Sequence, residues 1–109
     1  MDKVTTDVII NWAKERVENR KSISRDEWLE MSFKLNVLIL PAIELLEQLR
    51  QNVVIRKLDV MKGQDKRNVA AAELEIEATN EFREMKIQEA KIEQIKEFIR
   101  IAKKNSDNL

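Results

Sequence analysis

Residues 71–104 read AAELEIEATNEFREMKIQEAKIEQIKEFIRIAKK. Ala71, Ala78, Met85, Ile92 and Ile99 recur at every seventh position and form one apolar row. Leu74, Glu81, Gln88, Ile95 and Ala102 form the companion row, with Glu81 and Gln88 weakening its middle. A seven-residue repeat with charges between its rows marks a helix that lies along another helix. Read outward in both directions, this helix covers about residues 66–104, roughly 55–60 Å at 1.5 Å per residue. A compact domain of 109 residues has a radius of gyration of only about 13 Å. So long a helix needs a long neighbour.

The stretch upstream supplies one. A helix predicted over residues 41–62 carries Ala42, Leu46, Leu49, Val53 and Val60 in one row, widened by Leu45, Val54, Leu58 and Met61. Gly63, the only glycine, follows where a left-handed C-terminal cap wants it. Residues 64–68 then read as a polar turn, with Asp65 able to cap the next helix. The two helices form an antiparallel hairpin. Before the hairpin, Ile9, Trp12, Ala13 and Val17 mark a helix over about residues 7–20, capped by Thr5 or Thr6. Residues 21–24 connect it to a capping box, Ser24-Arg25-Asp26-Glu27, with Ile23 and Trp28 placed as its hydrophobic staple. The next helix carries Trp28, Met31, Ser32, Leu35, Leu38 and Ile39, with Glu30 and Lys34 paired outside. Pro41 lacks an amide hydrogen and either kinks this helix near residues 37–40 or ends it and opens the next; the break is the favoured reading. Residues 105–109 read as a frayed tail. The fold class expected is all-α: three to four helices, coiled-coil-like, around a long antiparallel hairpin over residues 41–104, with residues 1–40 as N-terminal helices. The hairpin's first helix is half as long as its second. The remaining stripe must meet the N-terminal helices or another copy, so a homo-oligomer is expected.

Composition excludes much chemistry. There is no Cys, His or Tyr. That removes disulfides, thiolate nucleophiles, zinc ribbons, most triads and the usual near-neutral acid–base group. Ser22, Ser24, Ser32 and Ser106 therefore have no histidine to activate them. A single glycine cannot make a phosphate-cradling loop. Glu27-x-x-Glu30 and Glu81-x-x-Glu84 resemble the carboxylate pairs of helical pyrophosphohydrolases. About fifty residues separate them, and they read as solvated faces. Neither an enzyme nor a cofactor or metal is expected. The longest apolar run, residues 37–43, is far short of the ~20 residues of a membrane span. The N-terminus has no signal-peptide pattern, so the expected location is cytoplasmic.

Twenty Lys and Arg balance twenty Asp and Glu, but unevenly along the chain. Arg50, Arg56, Lys57, Lys62, Lys66 and Arg67 surround the hairpin turn. Lys96, Arg100, Lys103 and Lys104 crowd the last turns. Both clusters are candidate phosphate contacts for single-stranded DNA. Glu73, Glu75, Glu77, Glu81 and Glu84 face only Arg83 nearby and make a candidate docking surface for a basic protein. Trp12 and Trp28 read as core anchors. Phe33 falls off its helix's main stripe and Phe82 lies beside the heptad seam, which makes them candidate partner contacts.

One segment has a family likeness. Lys57-Leu58-Asp59-Val60-Met61-Lys62-Gly63-Gln64-Asp65 ends a helix, turns, and leads into a long charged helix. This resembles the helix, Gly-Asp turn and long helix of UvsY-type phage recombination mediators. Glu77-Ala78-Thr79-Asn80-Glu81-Phe82-Arg83-Glu84 and the segment from Lys91 to Arg100 look like small helical bacteriophage proteins. The resemblance implies an oligomer that binds single-stranded DNA and helps to load a recombinase. The expectation is a non-catalytic phage-type accessory protein of DNA recombination or replication, in a host-cell cytoplasm. The alternatives are a protein-binding inhibitor or adaptor, such as a phage anti-defence protein acting through the acidic face, or a structural coiled-coil subunit.

Overall fold

The computed structural model describes residues 5–62 and 69–107. Among these the chain is all α, with no strand. It comprises α1 (Thr6–Glu18), a 3-10 turn (Arg20–Ser22), α2 (Arg25–Lys62), α3 (Val69–Glu77) and α4 (Asn80–Asp107). α2 and α4 pack as an antiparallel helical hairpin. Arg25, at the start of α2, donates from Nε to the carbonyl oxygen of Ser106, at the end of α4, at 2.6 Å. Gly63 and Asp65, expected as caps of the turn, lie outside the described residues.

Two caps stand where the residues put them. Thr5 Oγ1 accepts the Val8 amide at 3.3 Å and opens α1. Ser24 Oγ accepts the Glu27 amide at 3.2 Å and opens α2. The reciprocal half of the box differs: the Ser24 hydroxyl lies 3.2 Å from Glu27 Oε1 and donates to it. Glu27 Oε2 reaches Arg16 of α1 instead, at 3.5 Å.

Five expectations need correction. The break at Pro41 does not occur, because α2 runs through it. Leu35, Ile39, Ala42 and Leu46 keep one buried line across the proline, which is itself exposed. That burial outweighs the cost of about 3 kcal/mol for an interior proline. The last helix is not one piece. Ala78 and Thr79 interrupt it, and Thr79 caps α4: its Oγ1 accepts the Phe82 amide at 3.3 Å and donates to the Ile76 carbonyl at 2.6 Å. The supposed frayed tail is helical to Asp107, with Ser106 buried. Lys34 does not sit in a pair with Glu30. Its Nζ lies 5.4 Å from the centre of the Trp12 ring, which also meets Arg16. Trp12 is accordingly half-buried under two cations, while Trp28 is a true core anchor.

The chain divides into two compact units. One takes Met1–Ile43 with Ala90–Leu109, the other Glu44–Glu89. In the first, α1, the first part of α2 and the last part of α4 bury Ile9, Ala13, Trp28, Leu35, Ile95 and Ala102. Burying each large side chain there contributes about 1.5–3 kcal/mol. Lys91 and Asp7 add an ion pair at 2.8 Å on its surface. The second unit is thinner. Its buried residues, among those described, are Leu46, Ala72, Ile76 and Gln88. Ala72 and Ile76 take the buried places on α3; Ala78 and Leu74 of the expected rows are exposed. The interruption at Thr79 lets α3 present a different line from the one the α4 heptads project. Among the described residues no buried side-chain nitrogen or oxygen lacks a hydrogen-bond partner.

Candidate functional site

The basic residues are spread over surfaces already rich in acids. Arg50 donates to Glu47 one turn before it at 2.7 Å and lies 3.8 Å from Glu89. Arg56 lines a shallow groove of about 390 Å³ with Asn52, Ile55, Asp59, Glu81 and Glu84. Lys57 and Lys62 are exposed and hold no ion pair among the described residues. Lys66 and Arg67 lie outside the described residues. In the other unit Lys96 pairs with Glu93 at 3.1 Å. Arg100 grips Glu97 with two nitrogens, Nε at 3.0 Å and Nη2 beside Oε1. The Arg100 hydrogen bond holds the Glu97 carboxyl below its ordinary value and, reciprocally, raises the guanidinium above its own. Lys103 and Lys104 are exposed without an ion pair among the described residues. Three of the eight described candidate phosphate contacts, Arg50, Lys96 and Arg100, are thus paired locally with acids.

The acidic stretch is divided by the α3–α4 interruption. Glu73 and Glu77 are exposed on α3; Glu81 and Glu84 stand on α4, facing the groove that holds Arg56. The undivided acidic face expected of one long helix is therefore not present. Phe82 is half-buried, with Lys86 Nζ 5.4 Å from its ring centre. Phe33 stands in solvent, 63% exposed.

Phe33 belongs to a surface that reading the helices separately had missed. Thirteen large apolar side chains are exposed among the described residues, and ten of them are on α2. At 100° per residue nine of these ten fall within about 120° of the helix circumference. The sector is adjacent to the buried one and also carries Asn36, Glu44, Glu47, Gln51 and Lys62, so large apolar side chains, interspersed with polar ones, occur around well over half of the girth of α2. The row Phe33, Leu40, Glu47, Val54 and Met61 runs along this outer sector at seven-residue spacing. Its apolar members are 50–63% exposed. The signal was present in the sequence. A break at Pro41 cut the row in two and hid its period.

Among the described residues no group of three or more Asp or Glu is placed to hold a metal ion. No helix there is long and apolar enough to cross a membrane. Comparison with known proteins returns no matching family model, no similar curated protein and no similar solved structure.

Proposed function

We propose that the chain is a non-catalytic interaction protein, an adaptor or assembly subunit that works through protein contact on the outer face of α2. The observation that carries this reading is the exposed apolar sector of that helix. A soluble helix normally buries its apolar stripe and keeps the opposite face polar. Large contiguous exposed apolar patches mark interaction sites. A photoreactive residue placed at Leu40 or at Leu58 in living bacteria tests it, with Lys14 of α1 as the control position. Both α2 positions are expected to give the same discrete protein adduct, lost when Phe33→Gln is added to the Leu40 variant. No protein adduct from either position overturns the reading.

A second reading keeps the DNA expectation, now on a smaller set of residues. Arg56, Lys57 and Lys62 are exposed towards the C-terminal end of α2, and Lys103 and Lys104 towards that of α4, without an ion pair among the described residues. Such cations can contact successive phosphates of a single strand. The test is fluorescence anisotropy of a labelled oligonucleotide at low and near-physiological salt. Binding should weaken as salt rises, and Lys57→Glu with Lys62→Glu should flatten that dependence. Absence of binding at low salt eliminates the reading.

A further inference from the structure

We infer that the outer face of α2 pairs with the same face of a second copy of this chain, with the two helices antiparallel. The inference rests on the protein-contact reading above and names its partner. Three observations support it.

The first is period. Phe33, Leu40, Glu47, Val54 and Met61 repeat every seven residues on an uninterrupted helix, and the companion row, four residues before or three after, is Leu29, Asn36, Ile43, Arg50 and Lys57. This is the spacing that packs one helix along another. The second is area. The exposed outer apolar side chains from Val37 to Met61 present on the order of 600 Å² per copy, at the low end of specific interfaces.

The third is charge, and it decides orientation and occupant. From Arg25 to Glu47 α2 carries five acids, Asp26, Glu27, Glu30, Glu44 and Glu47, against Arg25 and Lys34. From Gln48 to Lys62 it carries four bases, Arg50, Arg56, Lys57 and Lys62, against Asp59. A parallel pair would set like charges side by side and put Glu47 against Glu47. An antiparallel pair centred between Glu47 and Arg50 sets Glu44 and Glu47 of each copy beside Arg50 of the other, while Asp26, Glu27 and Glu30 fall beyond the partner's α2. Such a twofold contact uses one self-complementary patch twice. Centred between Glu47 and Arg50, it brings Glu47 of each copy to Arg50 of the other and Ile43 onto Val54. The Glu47–Arg50 pair already present within each helix becomes a four-charge cluster at the axis.

The absence of cysteine makes the test clean. Light scattering on the full chain should give twice the 12.9 kDa chain mass at micromolar concentration. Mixing Ile43→Cys with Val54→Cys chains under mild oxidation should give the mixed disulfide, and neither variant alone should cross-link efficiently. Val54→Asp should weaken association about 100-fold or more while helical circular dichroism is retained, since two such side chains leave a dry seam. Glu47→Arg should weaken it, and adding Arg50→Glu should restore most of the loss. A single-chain mass at 100-fold higher concentration overturns the proposal. So does a Val54→Cys chain that cross-links chiefly to itself, which reports a parallel pair. A photo-adduct of some other mass at Leu40 overturns self-pairing and leaves the protein-contact reading standing.

Discussion

Thr79 makes two hydrogen bonds with one hydroxyl, closing α3 and opening α4. Thr79→Ala removes both and should cost about 1 kcal/mol, read as a lower urea midpoint with an unchanged slope. A second residue-scale prediction concerns Glu97. Its folded pKa lies below the ordinary 4.5, chiefly because Arg100 hydrogen-bonds the charged form. A depressed value means that the pair's contribution is present above the unfolded pKa and fades as pH falls through the folded one. Both groups are exposed, so the effect belongs to the site's titration and not to global stability. Carboxyl NMR should place the Glu97 midpoint under 4.5 and move it upward in Arg100→Ala; a stationary midpoint contradicts the assignment. Single residues with a local partner were the most legible features of the sequence. Ser24 could be read as a cap, and Thr5 as one of two candidates with Thr6, because a cap needs only its own next three residues. Trp12 was harder: its two cations come from Arg16 and from Lys34 on another helix.

At the scale of elements, α2 is one helix where two were expected. Pro41 leaves the Val37 carbonyl without its helical donor, and its ring crowds the preceding turn. Pro41→Ala supplies the missing amide at an exposed position and should raise stability by up to about 3 kcal/mol. A thermal melt reads this as a higher Tm, and an unchanged or lower Tm shows that the helix depends on the proline's geometry. Local propensity argued for a break; the buried line through Leu35, Ile39, Ala42 and Leu46, visible only with its partners in place, overrode it. The opposite error occurred at Ala78-Thr79-Asn80, which contains neither glycine nor proline to announce an interruption. The only sign was a threonine preceding an acidic first turn, the same grammar that marks Ser24. The all-α hairpin itself was readable because seven-residue spacing holds within α2 and within α4. The outer face of α2 was not, because its row spans the point where the helix was thought to end.

For the molecule as a whole, the two units differ in how much they bury. The first holds Ile95, Leu35 and Ala102 fully enclosed, while the second encloses few large side chains. Backbone amides of α2 around Leu35 and of α4 around Ile95 should exchange with deuterium much more slowly than those of α3. Comparable protection in α3 would mean that something covers the second unit in solution. Ile95→Ala should cost about 2–5 kcal/mol, a large part of the 5–15 kcal/mol that holds a typical domain together, and chemical denaturation measures it directly. The interruption at Thr79 has one more consequence, for how the sequence can change over generations. Each residue added to or removed from a continuous helix turns everything beyond it by about 100°. Within α4 such an event would swing Ile92, Ile95 and Ile99 away from their pocket together. Within α3 the rotation is discharged at the non-helical joint before α4 begins. Single-residue insertions and deletions should therefore accumulate among the descendants of this gene in α3 and be purged from α4.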